Sequence, residues 1–239
     1  MTLKQQFILN FIQDARYKYL LKGLTNTMII AFFAVLLGVA IGVVIATVRS
    51  TYEKNLEFFK RRKGIGYYLF LFANFICKIY LTVIRGTPIV VQLLIAYFII
   101  FASSTNGVMV ASIAFGINSG AYVAEILRGG IMSIDNGQFE AGRSLGFNYI
   151  QTMVYIIIPQ VFKTVLPTLL NEFIALLKET SVAGYVGIVD LTKGGDIIRG
   201  RTFSAFMPLL AVAAIYLILV MLLTYLVGKL ERRLRKSER

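Results

Sequence analysis

The sequence contains no histidine and only one cysteine, Cys77. Without histidine, Ser-His-Asp and Cys-His nucleophiles and the His-Glu-x-x-His metal site are all excluded. A single cysteine within an apolar run excludes both a disulfide framework and a cysteine zinc site. These absences argue against an enzyme and against a metal site in this chain.

Charged residues are also scarce, at 15% of 239 residues, whereas 57% are hydrophobic and the mean hydropathy is +0.74. A soluble domain has about 45–50% apolar and about 25% charged residues. The net charge of +13 could indicate binding to nucleic acid. However, the basic residues form blocks between apolar runs, which is typical of membrane topology. We therefore predict an integral membrane protein that does not bind nucleic acid.

Five apolar stretches predict transmembrane helices. Four of them are clear, at residues 24–48, 107–132, 161–188 and 206–228. The fifth stretch, 66–101, would form a helix of about 54 Å, too long for one upright crossing of a core about 30 Å thick. It is either a hairpin of two short spans at Gly86-Thr87-Pro88 or one long, tilted helix that bends at the proline.

The distribution of basic residues decides between these alternatives. Residues 49–63 and 229–239 are both rich in lysine and arginine. A single long span places both segments on the cytoplasmic side together with residues 128–163, as the positive-inside rule requires. We therefore predict five spans, with the N-terminus outside and the C-terminus in the cytoplasm.

The first eighteen residues predict an amphipathic helix rather than a secretory signal. Their apolar side chains recur at helical spacing, with Gln, Asn, Asp and Lys opposite, and there is no apolar core with a cleavage site. We expect this helix, 1–18, on the outer membrane surface, ahead of a five-span domain at 19–239. A frayed tail is the alternative.

The polar stretch 135–159 between the third and fourth spans predicts two short helices. Asp135 or Asn136 can cap the first helix, and Gly146 can end it. The second is expected to begin near Asn148 and to stop before Pro159. Small side chains on a cytoplasmic helix pair are typical of a rigid knob that fits a partner's groove, although an ordinary helical loop remains the alternative.

This stretch resembles a known motif. Glu140-Ala-Gly-x-x-x-Gly146, nine residues and Ile156-x-Ile-Pro159 resemble the EAA loop of permease subunits in bacterial ABC importers. The family pattern has alanine at Gly142 and leucine at Ile158. Three further segments resemble the polar amino-acid uptake branch of these importers, which includes histidine, arginine and glutamine systems: Arg85-Gly-Thr-Pro88, residues 119–130 and residues 171–181.

The resemblance implies an all-α type I ABC importer permease in the bacterial cell membrane. It implies a second permease subunit (an identical copy or a homologue), cytoplasmic ATPase subunits docked on the EAA loop, and an extracytoplasmic solute-binding protein. The residues expected to couple to the ATPase are Glu140, Ala141, Gly142, Ser144, Gly146 and Pro159. No Gly-x-x-x-x-Gly-Lys-Ser/Thr phosphate loop occurs here, so ATP and magnesium are expected on the partner and no cofactor on this chain.

Two carboxylates in the fourth span need an explanation, because a charge at the centre of a membrane helix costs about 2.5–3.5 kcal/mol on insertion scales. Glu172 and Glu179 are two helical turns apart and point to the same side. With Asn171 and Ser181 they could line a water-filled path that suits the α-ammonium of an amino acid or the side chain of a cationic one. The alternative is a structural ion pair, with Lys178 or a base on a neighbouring helix.

The third span carries a second group of polar residues. Asn118, Ser119 and Tyr122 share one side, and we expect Asn118 to bond either a neighbouring helix or the substrate. Glu125 and Arg128 have the i, i+3 spacing of an intrahelical ion pair. In the second span Lys78 can snorkel to an interface, while Arg85 either pairs with an acid or meets a substrate carboxylate.

Together these features predict the transmembrane subunit of an ATP-driven importer of polar, cationic amino acids, coupled to a separate ATPase. The expected substrate-binding residues are Asn118, Tyr122, Asn171, Glu172, Glu179 and Ser181. The alternatives are an ion-coupled secondary carrier and a permease of the same fold for another solute. The outer segment 190–202 is either a docking surface for the binding protein or a solvated loop.

Overall fold

The computed structural model describes residues 2–61 and 64–236, in which all regular secondary structure is helical. The α-helices are α1 Leu3–Phe7, α2 Tyr17–Arg61, α3 Ile65–Gly86, α4 Ile89–Ile95, α5 Gly107–Ser133, α6 Asn136–Ser144, α7 Tyr149–Thr152, α8 Ile158–Glu179, α9 Leu191–Thr202 and α10 Phe206–Lys236. Short π-helical and 3₁₀ segments connect several of them.

The chain divides into two compact units. Unit 1 comprises Met1–Leu36, Pro88–Gly116 and Phe173–Leu226, and unit 2 comprises Leu37–Thr87, Ile117–Glu172 and Val227–Arg239. The core of unit 1 is built around Ile30, Leu93, Phe115 and Leu176, all of which are fully buried. Helices α2, α5, α8 and α10 each contribute residues to both units.

Five helical segments are long and apolar enough to cross a membrane. They are Tyr17–Lys54, Ile65–Gly86, Gly107–Ser133, Tyr149–Val186 and Phe206–Leu234. The predicted number of spans is therefore confirmed. Many large apolar side chains on these helices are solvent-exposed in the structure, as expected of surfaces that face lipid.

The second span differs from the prediction of one long helix bent at the proline. Helix α3 ends at Gly86, Thr87 and Pro88 are extended, and α4 starts anew at Ile89. Proline has no amide hydrogen and disfavours helical geometry in the residue before it, so the bend is a complete break. The apolar helical segment that follows, Ile89–Ile100, is too short to span a membrane alone.

The second helix of the polar loop also differs from the prediction that it stops before Pro159. The capped helix α7 continues through a π-helical turn, Met153–Ile157, directly into α8. Pro159 is the second residue of α8 and directly follows the π-helical turn, so its missing amide hydrogen falls where the α-helical hydrogen-bond pattern is already interrupted. The EAA segment and the fourth span are therefore joined by unbroken helix.

The N-terminal segment is helical but irregular. α1 passes into a π-helical turn and then a 3₁₀ turn, where Asp14 and Ala15 have positive φ. Leu3 and Phe7 are exposed, whereas Asn10 on the polar side is fully buried and accepts a 2.8 Å hydrogen bond from Thr202. Phe11 is buried as well, in a cluster with Leu191 and Ile198 of α9. The segment therefore contacts α9 through Asn10 and Phe11, while Gln5 and Asp14 stay exposed. The boundary between 1–18 and 19–239 stays a prediction.

Candidate translocation path and coupling loop

The first acid of the fourth span, Glu172, has a partner within unit 2. Its carboxylate lies 3.5 Å from the hydroxyl of Ser119 on α5, which is fully buried. Gly38 on α2 makes room for this serine, since a Cβ there would be 3.0 Å from the Ser119 oxygen. The structure thus brings α2, α5 and α8 together around one polar contact that sequence reasoning did not foresee.

The other predicted substrate residues of unit 2 differ in accessibility. Asn118 is buried, at 4% exposure, whereas Tyr122 and Asn171 are exposed. The guanidinium of Arg85 on α3 lies 5.7 Å from the centre of the Tyr122 ring, within cation–π range. Tyr122 and Asn171 therefore lie on the surface of the chain, while Asn118 lies within the helix packing. Lys78 on α3 is also exposed.

Five ionised residues of unit 2 form one cluster across α2, α3 and α5. Arg128 bonds Glu125 at 3.0 Å, confirming the expected intrahelical pair, and it also bonds Glu53 at 3.0 Å. Arg49 pairs with Glu53 at 2.8 Å, and Arg85 lies 3.7 Å from Glu125. We call this set the ion-pair cluster. It gives Arg85 an acidic partner on another helix.

Sequence reasoning missed two members of the ion-pair cluster, Arg49 and Glu53. Arg49 also donates a 2.9 Å hydrogen bond to the buried amide oxygen of Asn74 on α3. The i, i+4 spacing of Arg49 and Glu53 was the available signal. The contact from Glu53 to Arg128 joins residues 75 positions apart, which no local pattern reveals.

The second acid of the fourth span, Glu179, is the last residue of α8 and belongs to unit 1. It is exposed, and no described base lies within 4.0 Å of its carboxylate. Its neighbour Lys178 is exposed as well. Ser181 follows in the 3₁₀ segment Thr180–Val186 and is half-buried. Of the two acids, Glu179 is the more exposed.

The EAA loop is a packed pair of helices. Asp135 caps α6 by accepting a 2.6 Å hydrogen bond from the Gly137 amide, and Gly146 has the positive φ of +83° that ends the turn. A Cβ on Gly142 would lie 2.7 Å from the Thr152 side chain, so glycine lets α6 contact α7 closely. This close packing explains the departure from alanine at Gly142.

The outward side of α6 is formed by residues of the motif. Glu140, Ala141 and Ser144 are exposed, while Phe139 is buried against Ile157 and its neighbours. The anchored Phe139 fixes the helix and leaves the motif residues free to meet another protein. This arrangement fits a protruding knob better than a loosely held loop.

A lysine that sequence reasoning did not single out holds this helix to the first span. The Lys54 ammonium donates a 2.7 Å hydrogen bond to the Asn136 side chain and lies 4.7 Å from the centre of the Phe139 ring. Its sequence neighbour is Glu53, a member of the ion-pair cluster. Helix α6 is therefore attached to α2 immediately beside that cluster.

The segment between the fourth and fifth spans carries two acids in opposite environments. Asp190 is fully buried and caps α9 by accepting from the Thr192 and Lys193 amides, and its burial raises the pKa of its carboxyl. Asp196 is half-exposed, and the hydrogen bonds from Arg199 and Lys193 lower its pKa. Asp190 therefore serves the fold, while Asp196 is accessible.

Five apolar spans, a protruding helical loop and polar side chains within the spans define a multi-pass membrane transport component. The chain belongs to the family of binding-protein-dependent transport system inner membrane components, whose family model matches residues 65–236. The predicted family and the all-α type I ABC importer permease fold are thereby confirmed.

Two curated relatives and one solved structure illustrate the similarity. The putative glutamine transport system permease protein GlnP of Rickettsia typhi is 36% identical over 90% of this chain and 93% of its own. The arginine transport system permease protein ArtQ of Bacillus subtilis is 31% identical over 92% and 94%. A crystal structure of an amino acid ABC transporter with histidines is 37% identical, covers 93% of this chain and 98% of its own, and has a TM-score of 0.78.

Proposed function

We propose that this chain is the transmembrane subunit of an ATP-driven importer of polar, cationic amino acids. The observation that carries the proposal is Glu179, an exposed carboxylate at the end of an apolar helix. No described base lies within 4.0 Å of it, and its preceding residue Lys178 interacts with it only through longer-range electrostatics. A carboxylate without a close ion pair at such a position is costly unless a passing cation neutralises it. Relatives named for glutamine and arginine transport support an amino-acid cargo.

The substrate contacts proposed for this chain follow from accessibility and chemistry. Glu179 and Ser181 in unit 1 would bind the cationic side chain. Along the part of the path formed by unit 2, Tyr122, Asn171 and Glu172 would supply separate polar contacts. Asn118, the buried member of the predicted set, would contact the substrate only if its neighbours moved apart. Glu172 already lies beside Ser119, so we assign it a weaker part in charge recognition than Glu179.

Coupling to ATP is proposed to run through the EAA loop. The exposed residues Glu140, Ala141 and Ser144 would contact a groove of a cytoplasmic ATPase subunit. Gly142 lets α6 pack closely against α7, and Gly146 ends the turn that follows α6. Because α7 continues as helix through Pro159 into α8, a displacement of the knob would reach the fourth span directly. ATP and magnesium would be bound by that partner.

The remaining partners follow from the proposed topology, with the N-terminus outside and the C-terminus in the cytoplasm. A second permease subunit would complete the path, and an extracytoplasmic solute-binding protein would deliver the substrate. Each ligand would act through its different affinity for the outward-open and inward-open states. A bacterial cell membrane is the location that this set of partners implies.

The test compares Glu179→Gln with wild type in proteoliposomes that contain the complete importer. We expect arginine uptake to fall about tenfold, because loss of one charge-assisted contact corresponds to roughly 1.4 kcal/mol. Glutamine uptake should change less, since its side chain carries no charge. Asp14→Asn, which alters an exposed acid that pairs with Arg16 in the N-terminal segment, is the control for removal of an acid away from the proposed path.

Equal arginine uptake in the wild type and Glu179→Gln would contradict a contact between this acid and the cargo. Uptake that continues without ATP but collapses with the ion gradient would favour a secondary carrier. A complex that retains an anion and no amino acid would indicate a same-fold permease for another solute.

A further inference from the structure

Unit 1 contains a pocket of about 450 Å³ at α9 that the proposed path does not use, apart from Ser181. Pockets that bind small molecules typically measure about 300–1,000 Å³. The lining residues are Ser181, Gly184, Tyr185, Thr192, Lys193, Asp196, Arg199, Ala205 and Leu209. We call it the α9 pocket.

One wall of the α9 pocket carries charges of both signs. Lys193, Asp196 and Arg199 follow one another at three-residue spacing on α9, so they project from one side of the helix. Asp196 lies 3.1 Å from the Lys193 ammonium and 2.9 Å from the Nε of Arg199. All three side chains remain accessible, with exposed fractions of 36%, 36% and 51%.

The rest of the lining of the α9 pocket is less polar. Tyr185 is 73% exposed, and Leu209 and Ala205 add apolar surface. Gly184 keeps the space open, because a Cβ there would lie 3.2 Å from the Lys193 Cβ. Ser181 adds a hydroxyl two residues beyond Glu179. The pocket therefore combines an acid, two bases and an apolar surface at the outer end of the proposed path.

We propose that the α9 pocket is a second binding site, which receives an amino acid by its charged backbone before the substrate reaches Glu179. Asp196 would bind the α-ammonium, and Lys193 and Arg199 would bind the α-carboxylate. The side chain of the substrate would lie against Tyr185 and Leu209. This inference rests on the proposed function and assigns that function an entry site.

Exposed ion pairs suit the binding of an amino acid because the charged side chains can exchange their protein partners for the ligand. Exposed pairs are worth little individually, so opening one to admit a ligand is cheap. A zwitterion brings one charge of each sign, and each residue that leaves a protein partner gains a ligand partner. The α-ammonium and the α-carboxylate of an amino acid cancel each other's charge in the pocket, whereas a ligand that has only one of these two groups leaves that charge unbalanced.

The test measures protection of a single cysteine. Cys77, the only native cysteine, is replaced by serine, and Tyr185→Cys or Leu209→Cys places a thiol in the pocket of the complete importer. A membrane-impermeant maleimide labels this thiol from outside. We expect arginine at ten times its dissociation constant to slow labelling about tenfold, because about one pocket in eleven is then empty.

The controls separate recognition of the zwitterion from other effects. Phe203→Cys, 96% exposed and outside the pocket, should label at the same rate with or without arginine. Agmatine, which lacks the carboxylate, and 5-guanidinovaleric acid, which lacks the α-ammonium, should not protect the pocket cysteine. Asp196→Asn in the Tyr185→Cys background should abolish protection by arginine.

Several results would overturn the proposal. Vesicles that import arginine while neither pocket cysteine is protected would refute the α9 pocket and leave the proposed function standing. Absence of ATP-driven amino-acid import would refute both. Three other results would also contradict an entry site for amino acids. They are labelling of the thiol only from inside, protection by 5-guanidinovaleric acid equal to that by arginine, and protection only by the solute-binding protein.

Discussion

At the scale of single residues, Asp190 and Asp196 show that two carboxylates at one short helix can have pKa values shifted in opposite directions. Both lie at α9, yet one is fully buried and the other is half-exposed between two bases. Burial disfavours the ionised form of Asp190, whereas hydrogen bonds from cations favour the ionised form of Asp196. Their contributions to stability must therefore depend on pH with opposite signs.

We expect Asp190 to make the folded protein less stable as the pH rises. Its folded pKa lies above the ordinary value of 3.8, so between the two values the folded chain binds more protons than the unfolded one. Asp190→Asn should remove this decline in melting temperature, measured from pH 3 to pH 8 in detergent.

Asp196→Asn is the matched control for that measurement. The folded pKa of Asp196 lies below 3.8, so its contribution is present above that pH and is lost as the pH falls through the folded value. The wild type should therefore gain stability relative to this variant as the pH rises. The same trend in both variants would contradict the assignment of their environments.

Residue-level predictions from the sequence succeeded where the relevant partner was local. The i, i+3 spacing of Glu125 and Arg128 was sufficient to predict their pair, because a helix brings these positions together. Ser119 beside Glu172 and Glu53 beside Arg128 could not be derived, since their partners come from other helices. Asn10 was assigned to the polar side correctly, but periodicity does not say what that side packs against.

At the scale of secondary-structure elements, glycines on α2 and α5 determine how closely these helices approach. A Cβ on Gly42 would lie 2.4 Å from the Val123 side chain, and one on Gly120 would lie 2.9 Å from that of Ile41. No side chain larger than hydrogen fits there without displacement of its neighbour. Gly38 and Gly42 have the small-xxx-small spacing that is common where membrane helices contact each other, but this spacing does not indicate the partner helix.

Gly42→Leu should separate the two helices and lower the melting temperature of the detergent-solubilised protein. Overpacking of this kind costs about 1–3 kcal/mol. Gly228→Leu is the control, because a Cβ at Gly228 on α10 meets nothing within 4 Å. Comparable melting temperatures for Gly42→Leu and the wild type would show that the α2–α5 contact is not tight.

At the scale of the whole molecule, the proposed function requires that the partner ATPase and the spans move together. Lys54 attaches α6 to α2 beside the ion-pair cluster, which in turn joins α2, α3 and α5. A displacement of the EAA loop could therefore reach the spans in two ways: through the continuous helix at Pro159, and through Lys54 and the ion-pair cluster.

Lys54→Met keeps the length of the side chain but removes its charge. We expect ATP hydrolysis to continue while the number of amino acids moved per ATP falls about fivefold, corresponding to roughly 1 kcal/mol of lost attachment. Lys54→Arg should restore most of the coupling. If the methionine variant transports with the wild-type ratio, Lys54 is only a surface contact.

The sequence was sufficient to predict five spans and the helical loop, because run length, charge blocks and capping residues are local signals. It did not reveal the complete break at Pro88, since a proline can either bend or interrupt a helix. It also did not reveal that α7 runs on into α8 past Pro159. Both outcomes depend on neighbouring helices, which a pattern of residues does not contain.

The break between α3 and α4 has a consequence for solvent. Helix geometry leaves the amides of Ile89 and Val90 without a carbonyl one turn earlier, and Pro88 has no amide at all. Hydrocarbon cannot satisfy such groups, so irregular backbone within a membrane protein is found where protein or a wet cavity surrounds it. Deuterium should therefore replace hydrogen at these two amides sooner than in the middle of α3, where every amide is bonded within its own helix.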